Sequence, residues 1–178
     1  MNRHDKPRAL ALLHADHLRV RKLFQDYHSL RGLDEEDARK AELVDDICYE
    51  LTVHAMLEEE IFYPVLRSAI GDDELMDGAE LEHAGMRELI GQLDIIYPGD
   101  DHFDATVAVL AEEVGHHVDQ EEAELFAAAQ RAGIDLERLG GQLAARRAEL
   151  EEDLSAPAGT ADAIELHDGA RRAPRPPD

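Results

Sequence analysis

Apolar residues recur along most of this chain at alternating steps of three and four. Leu10, Leu13, His17, Val20, Phe24 and Tyr27 form one such series, the spacing that lines one face of an α-helix. Val44, Ile47, Leu51, His54, Glu58, Ile61 and Val65 form a second, and Met76, Ala79, His83, Met86, Ile90, Leu93 and Tyr97 a third. A fourth runs through Val107, Leu110, Val114, His117, Glu121, Leu125 and Ala128. Helix-breaking residues separate them. The first helix is predicted from about Pro7 to Arg31 with Gly32 as its stop, and the second from behind Asp34 to about Ala69, ending at Gly71 and weakened or kinked at Pro64. The third is predicted from Asp72 or Asp73 to before Pro98-Gly99, the fourth from Asp101 to Gly133, and a shorter fifth from Asp135 to about Asp153. Short turns between long helices imply an all-α fold, an antiparallel up-down-up-down four-helix bundle over residues 8–132. The fifth helix, residues 135–154, would follow it. Residues 1–7 read as a polar tail, and residues 155–178, which hold four of the seven prolines and few large apolar residues, as a disordered one.

In all four series a histidine stands where a core residue is expected. In the second and fourth, a glutamate follows one turn later, on the same helix face. The levels can be compared by counting from the turns. His17 lies 15 residues before Gly32 and His54 20 after Asp34; His83 lies 15 before Pro98 and His117 16 after Asp101. With a rise of about 1.5 Å per residue, all four histidines fall within roughly one and a half turns of one depth. A single histidine on an apolar face is most often a hydrogen-bonded core residue. Four histidines and two carboxylates in one layer are different, because burying Glu58 and Glu121 there uncompensated would cost several kcal/mol per ion. His17, His54, Glu58, His83, His117 and Glu121 are therefore candidate metal ligands. Six nitrogen and oxygen donors exceed a tetrahedral zinc site, and no thiolate set is present. Two carboxylates able to bridge, with two imidazoles left for each ion, suit a dinuclear centre of iron, with manganese or zinc less favoured.

Composition narrows the partners. A formal net charge of −23 argues against nucleic acid and anionic membranes. No apolar run approaches the length of a membrane span, and Met1 to Arg8 lacks a signal-peptide core. The single cysteine, Cys48, excludes an internal disulfide, reads as a small buried residue, and fits a reducing cytoplasm. The aromatic content of 4% favours helices over sheet.

The pattern Asp16-His17, His54-x-x-x-Glu58-Glu59 followed by Phe62-Tyr63-Pro64, Glu82-His83, and His117-x-x-x-Glu121-Glu122 followed by Leu125-Phe126 resembles the hemerythrin-like (HHE cation-binding) domain family. The resemblance covers about residues 8 to 132. It implies two non-haem irons joined by an oxo or hydroxo bridge, with Glu58 and Glu121 bridging, His17 and His54 on one ion, and His83 and His117 on the other. Oxygen carriers of this family have a second histidine one turn after the third-helix histidine, where this chain has Arg87. They also have an aspartate one position later than Glu121. The form H…HxxxE…HxxxR…HxxxE resembles a bacterial subgroup associated with peroxide breakdown and so with oxidative stress. The resemblance thus implies dioxygen, peroxide or nitric oxide as the small-molecule ligand, and catalase- or peroxidase-like chemistry. Non-catalytic sensing or binding of dioxygen, nitric oxide or iron is the alternative, and iron donation for iron–sulfur repair a further one. Arg87, always cationic, is a candidate catalytic group that holds an anion or polarised peroxide, or else the partner of a helix-face carboxylate such as Glu121 or Glu124.

Other residues carry weaker signals. His14 reads as a hydrogen-bond donor behind the ligands or a surface residue, and His116 as solvated. Glu59, Glu60 and Glu122 read as helix-face carboxylates or as partners of the ligands. Of Tyr27, Tyr63 and Tyr97, Tyr27 is expected nearest the site.

Overall fold

The computed structural model describes residues 8–155, so the predicted tails lie outside the described residues except for Ser155, which ends the last helix. Among these, no residue is in a strand. Helix α1 spans Arg8–Ser29. A 3₁₀ turn, Asp34–Glu36, leads into α2, Asp37–Leu57. The second predicted helix does not then run on unbroken. A five-residue π-helical segment, Glu58–Phe62, intervenes before α3, Tyr63–Ile70. Helix α4, Asp73–Leu93, is capped by the Asp72 carboxylate, which accepts from the Leu75 N–H at 3.1 Å. The fourth predicted helix is likewise divided into α5, Phe103–Gln120, a π segment Glu121–Leu125, and α6, Phe126–Arg131. Helix α7 is Leu136–Ser155.

The π segments change which residues face inward. Tyr63 N–H bonds to Glu58 C=O and Phe126 N–H to Glu121 C=O, both five residues back. Each inserts one extra residue, so the buried series after Glu58 is Phe62 and Leu66, both 0% exposed. The expected pair behaves differently: Ile61 is only half-buried and Val65 is 37% exposed. Pro64, which lacks an N–H, contributes to the first break. It is not the general cause, because the second break has Ala127 in the matching place.

The helices form a bundle whose apolar interior falls into two clusters. One contains Leu10, Leu13, Leu57, Phe62, Tyr63, Leu66, Phe126 and Leu125; the other contains Val20, Ile47, Leu51, Met86, Val107, Leu110, Val114 and Val118. Three of the histidines lie in sequence between them, His17 between Leu13 and Val20, His54 between Leu51 and Leu57, and His83 between Ala79 and Met86, while His117 lies between Val114 and Val118 of the second cluster. Helix α7 packs against α1 and α2 and buries Leu136, Leu139, Leu143 and Leu150 in the first cluster. Its approach is close: a Cβ on Gly140 would stand 2.7 Å from the Ala9 backbone nitrogen. The fifth helix thus shares the core of the bundle.

Candidate metal centre

All six candidate ligands are at most 5% exposed: His17, His54, Glu58, His83, His117 and Glu121. Their inner atoms form two overlapping sets. Ligand atoms of His17, His54, Glu58 and Glu121 lie within 4.8 Å of one another, and so do those of Glu58, His83 and His117. Glu58 belongs to both sets and Glu121 to the first. His17 Nε2 and His54 Nε2 are 3.2 Å apart, and His83 Nε2 and His117 Nε2 3.1 Å. Glu58 Oε1 is 3.1 Å from His54 Nε2, and Glu58 Oε2 is 3.2 Å from His83 Nε2 and 3.9 Å from His117 Nε2. Glu121 Oε2 is 3.0 Å from His17 Nε2.

Behind every imidazole stands a carboxylate. His17 Nδ1 meets Glu122 at 2.9 Å, His54 Nδ1 meets Asp16 at 3.3 Å, His83 Nδ1 meets Glu59 at 2.8 Å and His117 Nδ1 meets Glu82 at 2.8 Å. An ionised carboxylate only accepts, which assigns the proton to Nδ1 and leaves the inward Nε2 with a lone pair. The four outer carboxylates are themselves held. Arg147 of α7 bonds to Asp16, Arg87 bonds to Glu59, His14 Nδ1 lies 2.6 Å from Glu122, and His116 Nε2 lies 3.7 Å from Glu82. Carboxylates placed behind imidazoles in this way fix the ring and raise its basicity toward a metal.

Glu58 Oε1 and both carboxylate oxygens of Glu121 are buried without a hydrogen bond. The imidazole nitrogens near them stand off the line of a ring N–H. Paired lone pairs about 3 Å apart, facing orphaned carboxylate oxygens in a dry core, are favourable only around cations. The donor set fits them: nitrogen and oxygen, with no sulfur, divided into two sets that share a carboxylate.

Without a cation, protons take up part of that role. Burial disfavours charge on His54 and His117, but Glu58 outweighs it. The attraction to Glu58 and the bond to Asp16 hold His54 well above the usual imidazole range, and Glu58, Glu121 and Glu82 raise His117 to about 9. Glu58 is held well below the carboxylate range, since His54 and its contacts with His117 and His83 overcome burial. Glu121 goes the other way, pushed up to about 6 by burial and by repulsion from Glu58. Glu122, despite its partial burial, is drawn down to about 2 by His17 and His14.

Two residues stand apart from where the sequence puts them. Tyr63 reaches the centre; its hydroxyl is 3.2 Å from both Glu58 Oε2 and His83 Nε2. Tyr27 instead bonds to Asp104, in the second apolar cluster. In an unbroken α-helix Tyr63 would point about 140° away from Glu58, and the π turn brings it back. Arg87 pairs with Glu59 and not with Glu121 or Glu124, because Glu121 faces the interior while Arg87 is 53% exposed. Glu60 bonds to Arg146 at 2.7 Å, away from the centre.

A cavity of about 500 Å³ opens onto the four histidines and onto Arg87 and Glu59.

Comparison with known proteins identifies the family and the fold. The family model described as hemerythrin HHE cation binding domain matches residues 8–129. A protein named DNA nickase from Nostoc sp. (strain PCC 7120) is 33% identical over 117 residues, 66% of this chain. The match spans only 32% of that relative's length. The crystal structure of a hemerythrin HHE cation binding domain-containing protein from Mycobacterium kansasii superposes with a TM-score of 0.67 at 21% identity, covering 80% of this chain and 86% of the other.

Proposed function

We propose, for a chain that belongs to the hemerythrin HHE cation-binding domain family, that its centre holds two non-haem irons and breaks down peroxide. The carrying observation is the position of Glu58 in both ligand sets, with four lone-paired Nε2 atoms turned toward the same space. His17 and His54 would hold one ion and His83 and His117 the other, with Glu58 and Glu121 contributing to the bridge. We take the connection order as up-down-up-down over residues 8–132, because the turns joining the long helices are short.

Bound iron supplies Lewis acidity and one-electron redox capacity. The chain supplies orientation. Asp16, Glu59, Glu82 and Glu122 keep the four imidazoles in the tautomer whose Nε2 is available. Tyr63, held protonated by burial and by the carboxylates around it, donates its O–H to Glu58 Oε2 and fixes that carboxylate at the centre. Arg87 acts through Glu59, whose carboxylate it holds in place beside His83 Nδ1.

Metal analysis of protein made in iron-replete medium, with an optical spectrum of the oxidised form, tests this. Two irons per chain and oxo-to-iron charge-transfer bands are expected; one zinc and a featureless spectrum would reject it. Carriage or sensing of dioxygen or nitric oxide could use the same donors. A spectrum that forms in air and reverts under vacuum, without peroxide consumption, would select that reading. DNA cleavage is not carried over from the Nostoc relative, since the chain spans a third of it and its net charge of −23 repels phosphate. No helix among the described residues is long and apolar enough to cross a membrane.

A further inference from the structure

The cavity beside the centre is far larger than the reaction just proposed requires. Two ions and a bridging oxygen, each the size of a water at about 30 Å³, would take up roughly 90 Å³, and hydrogen peroxide is scarcely larger than one water. The cavity has about 500 Å³, within the range of roughly 300–1,000 Å³ typical of sites for organic ligands. Its walls are mostly apolar. Cys48, Leu51, Met86, Ile90, Val114 and Val118 line it, all of them buried but the half-buried Ile90. At its floor are the four imidazoles. Charged residues line it too, Asp16, Glu59, Asp94 and Asp153 with Arg87 and Arg146, and both guanidinium groups are already paired, Arg87 with Glu59 and Arg146 with Glu60. An apolar chamber of that size beside the histidine layer is costly to leave filled with water, and with both guanidinium groups paired and carboxylates in excess its lining, among the described residues, has no free cation to select an anionic ligand.

We infer that this chamber binds the hydrocarbon body of an organic hydroperoxide and delivers its O–OH end to the histidine layer. This rests on the peroxide reading above and names its substrate class. The net reaction is ROOH + 2 R′SH → ROH + H₂O + R′SSR′. The O–O bond breaks, one oxygen leaves in the alcohol and one in water, and an external thiol reductant supplies two electrons and two protons. Met86 and Ile90 are then specificity residues: they touch the organic body and not the reacting oxygens.

The iron-loaded full chain is titrated with 2-phenylpropan-2-ol, the alcohol product of cumene hydroperoxide, by calorimetry. Consumption of cumene hydroperoxide and of hydrogen peroxide is then compared with dithiothreitol as reductant. Saturable binding is expected, with a higher kcat/KM for the organic peroxide. Met86→Trp, and Ile90→Trp at the more tolerant half-buried position, should each weaken alcohol binding roughly tenfold and lower the organic-to-hydrogen peroxide ratio by a similar factor. Absence of binding, or a Kd and ratio indifferent to a folded Ile90→Trp, would overturn the chamber, and continued consumption of hydrogen peroxide would then leave the peroxide reading standing. If neither peroxide is consumed by protein holding two irons, the peroxide reading fails and the substrate assignment with it, even where the alcohol binds.

Discussion

The two halves of the bundle present the same arrangement twice, and they differ at few points. In one half the order is Asp16-His17, then His54, Glu58, Glu59 and Tyr63; in the other it is Glu82-His83, then His117, Glu121, Glu122 and Phe126, with equal spacings from the second histidine onward. Their support is crossed. The carboxylate before each first histidine bonds to the second histidine of its own half, Asp16 to His54 and Glu82 to His117. The carboxylate after each bridging candidate reaches the opposite half, Glu59 to His83 and Glu122 to His17. The aromatic residues follow the same crossing: Tyr63 lies 5.3 Å from His83, and Phe126 stacks on His17 at 5.9 Å and 14°. Against so regular a frame, the departures show where the two halves differ. Tyr63 has a hydroxyl at the second pair where Phe126 has none at the first. Asp16 is pinned from outside by Arg147 of α7, whereas Glu82 has the exposed His116 at 3.7 Å in that role.

Removing the inner carboxylates tests the comparison most severely. Glu58→Ala should empty both positions, because Glu58 is common to both sets. Glu121→Ala should lose mainly the ion of His17 and His54, and Glu60→Ala should keep both. Elemental analysis of the purified variants decides this; equal loss from Glu58→Ala and Glu121→Ala would mean that the sets are not as distinct as their distances imply. Next in size are the carboxylates behind the imidazoles. Asp16→Asn and Glu82→Gln should each weaken metal binding by about 10–100-fold, measured by competition with a chelator. Arg147→Ala should produce a smaller loss in the same direction, since it acts through Asp16. His116→Ala should produce almost none. If Arg147→Ala left affinity at the wild-type value, the fifth helix would have no part in the first position.

Protons distinguish the empty centre from the loaded one. In metal-free protein His117 has its pKa raised from 6.5 to about 9. That contribution to stability is fully present below pH 6.5 and is lost as pH rises through about 9. The metal-free chain should therefore lose stability to urea between those values. The loaded protein, whose Nε2 is taken by the ion, should not show this loss. Parallel curves for the two forms would place the proton elsewhere.

Much of this centre could be read from the sequence, and the unread remainder has one physical source. His17, His54, His83, His117, Glu58 and Glu121 were legible because polar side chains stand out where a three-and-four pattern demands apolar ones. That pattern assumes α-helical geometry throughout. Each π segment begins at a glutamate, Glu58 or Glu121, so the pattern remains true up to the glutamate and slips by one residue beyond it. Ile61 and Val65 were expected inside, and Phe62 and Leu66 are there. Tyr63 was missed for the same reason. The available signal was the pair Phe62 and Leu66, stronger apolar residues one step out of phase, together with Pro64. The partner of Arg87 was beyond reach, because the sequence does not tell which carboxylate of a neighbouring helix a flexible side chain meets.

The smallest expected effect concerns the hydroxyl that distinguishes the halves. Tyr63→Phe makes the second pair resemble the first and removes one hydrogen bond to Glu58 Oε2, at a net cost of about 1 kcal/mol in the metal-free protein. The ring remains packed against Phe62, 6.1 Å between centroids, so both irons should be retained. The reverse change should act oppositely. Phe126→Tyr brings an O–H toward His17 and Glu121, whose oxygens have no hydrogen bond, and should recover part of that stability. Mössbauer spectra of the oxidised protein read the same asymmetry at the metals. Wild type should give two distinct quadrupole doublets, Tyr63→Phe should draw them together, and the exchange of both residues should separate them again. If the doublets in Tyr63→Phe stay as far apart as in wild type, the inequivalence arises from the Arg147 contact with Asp16 and not from the hydroxyl.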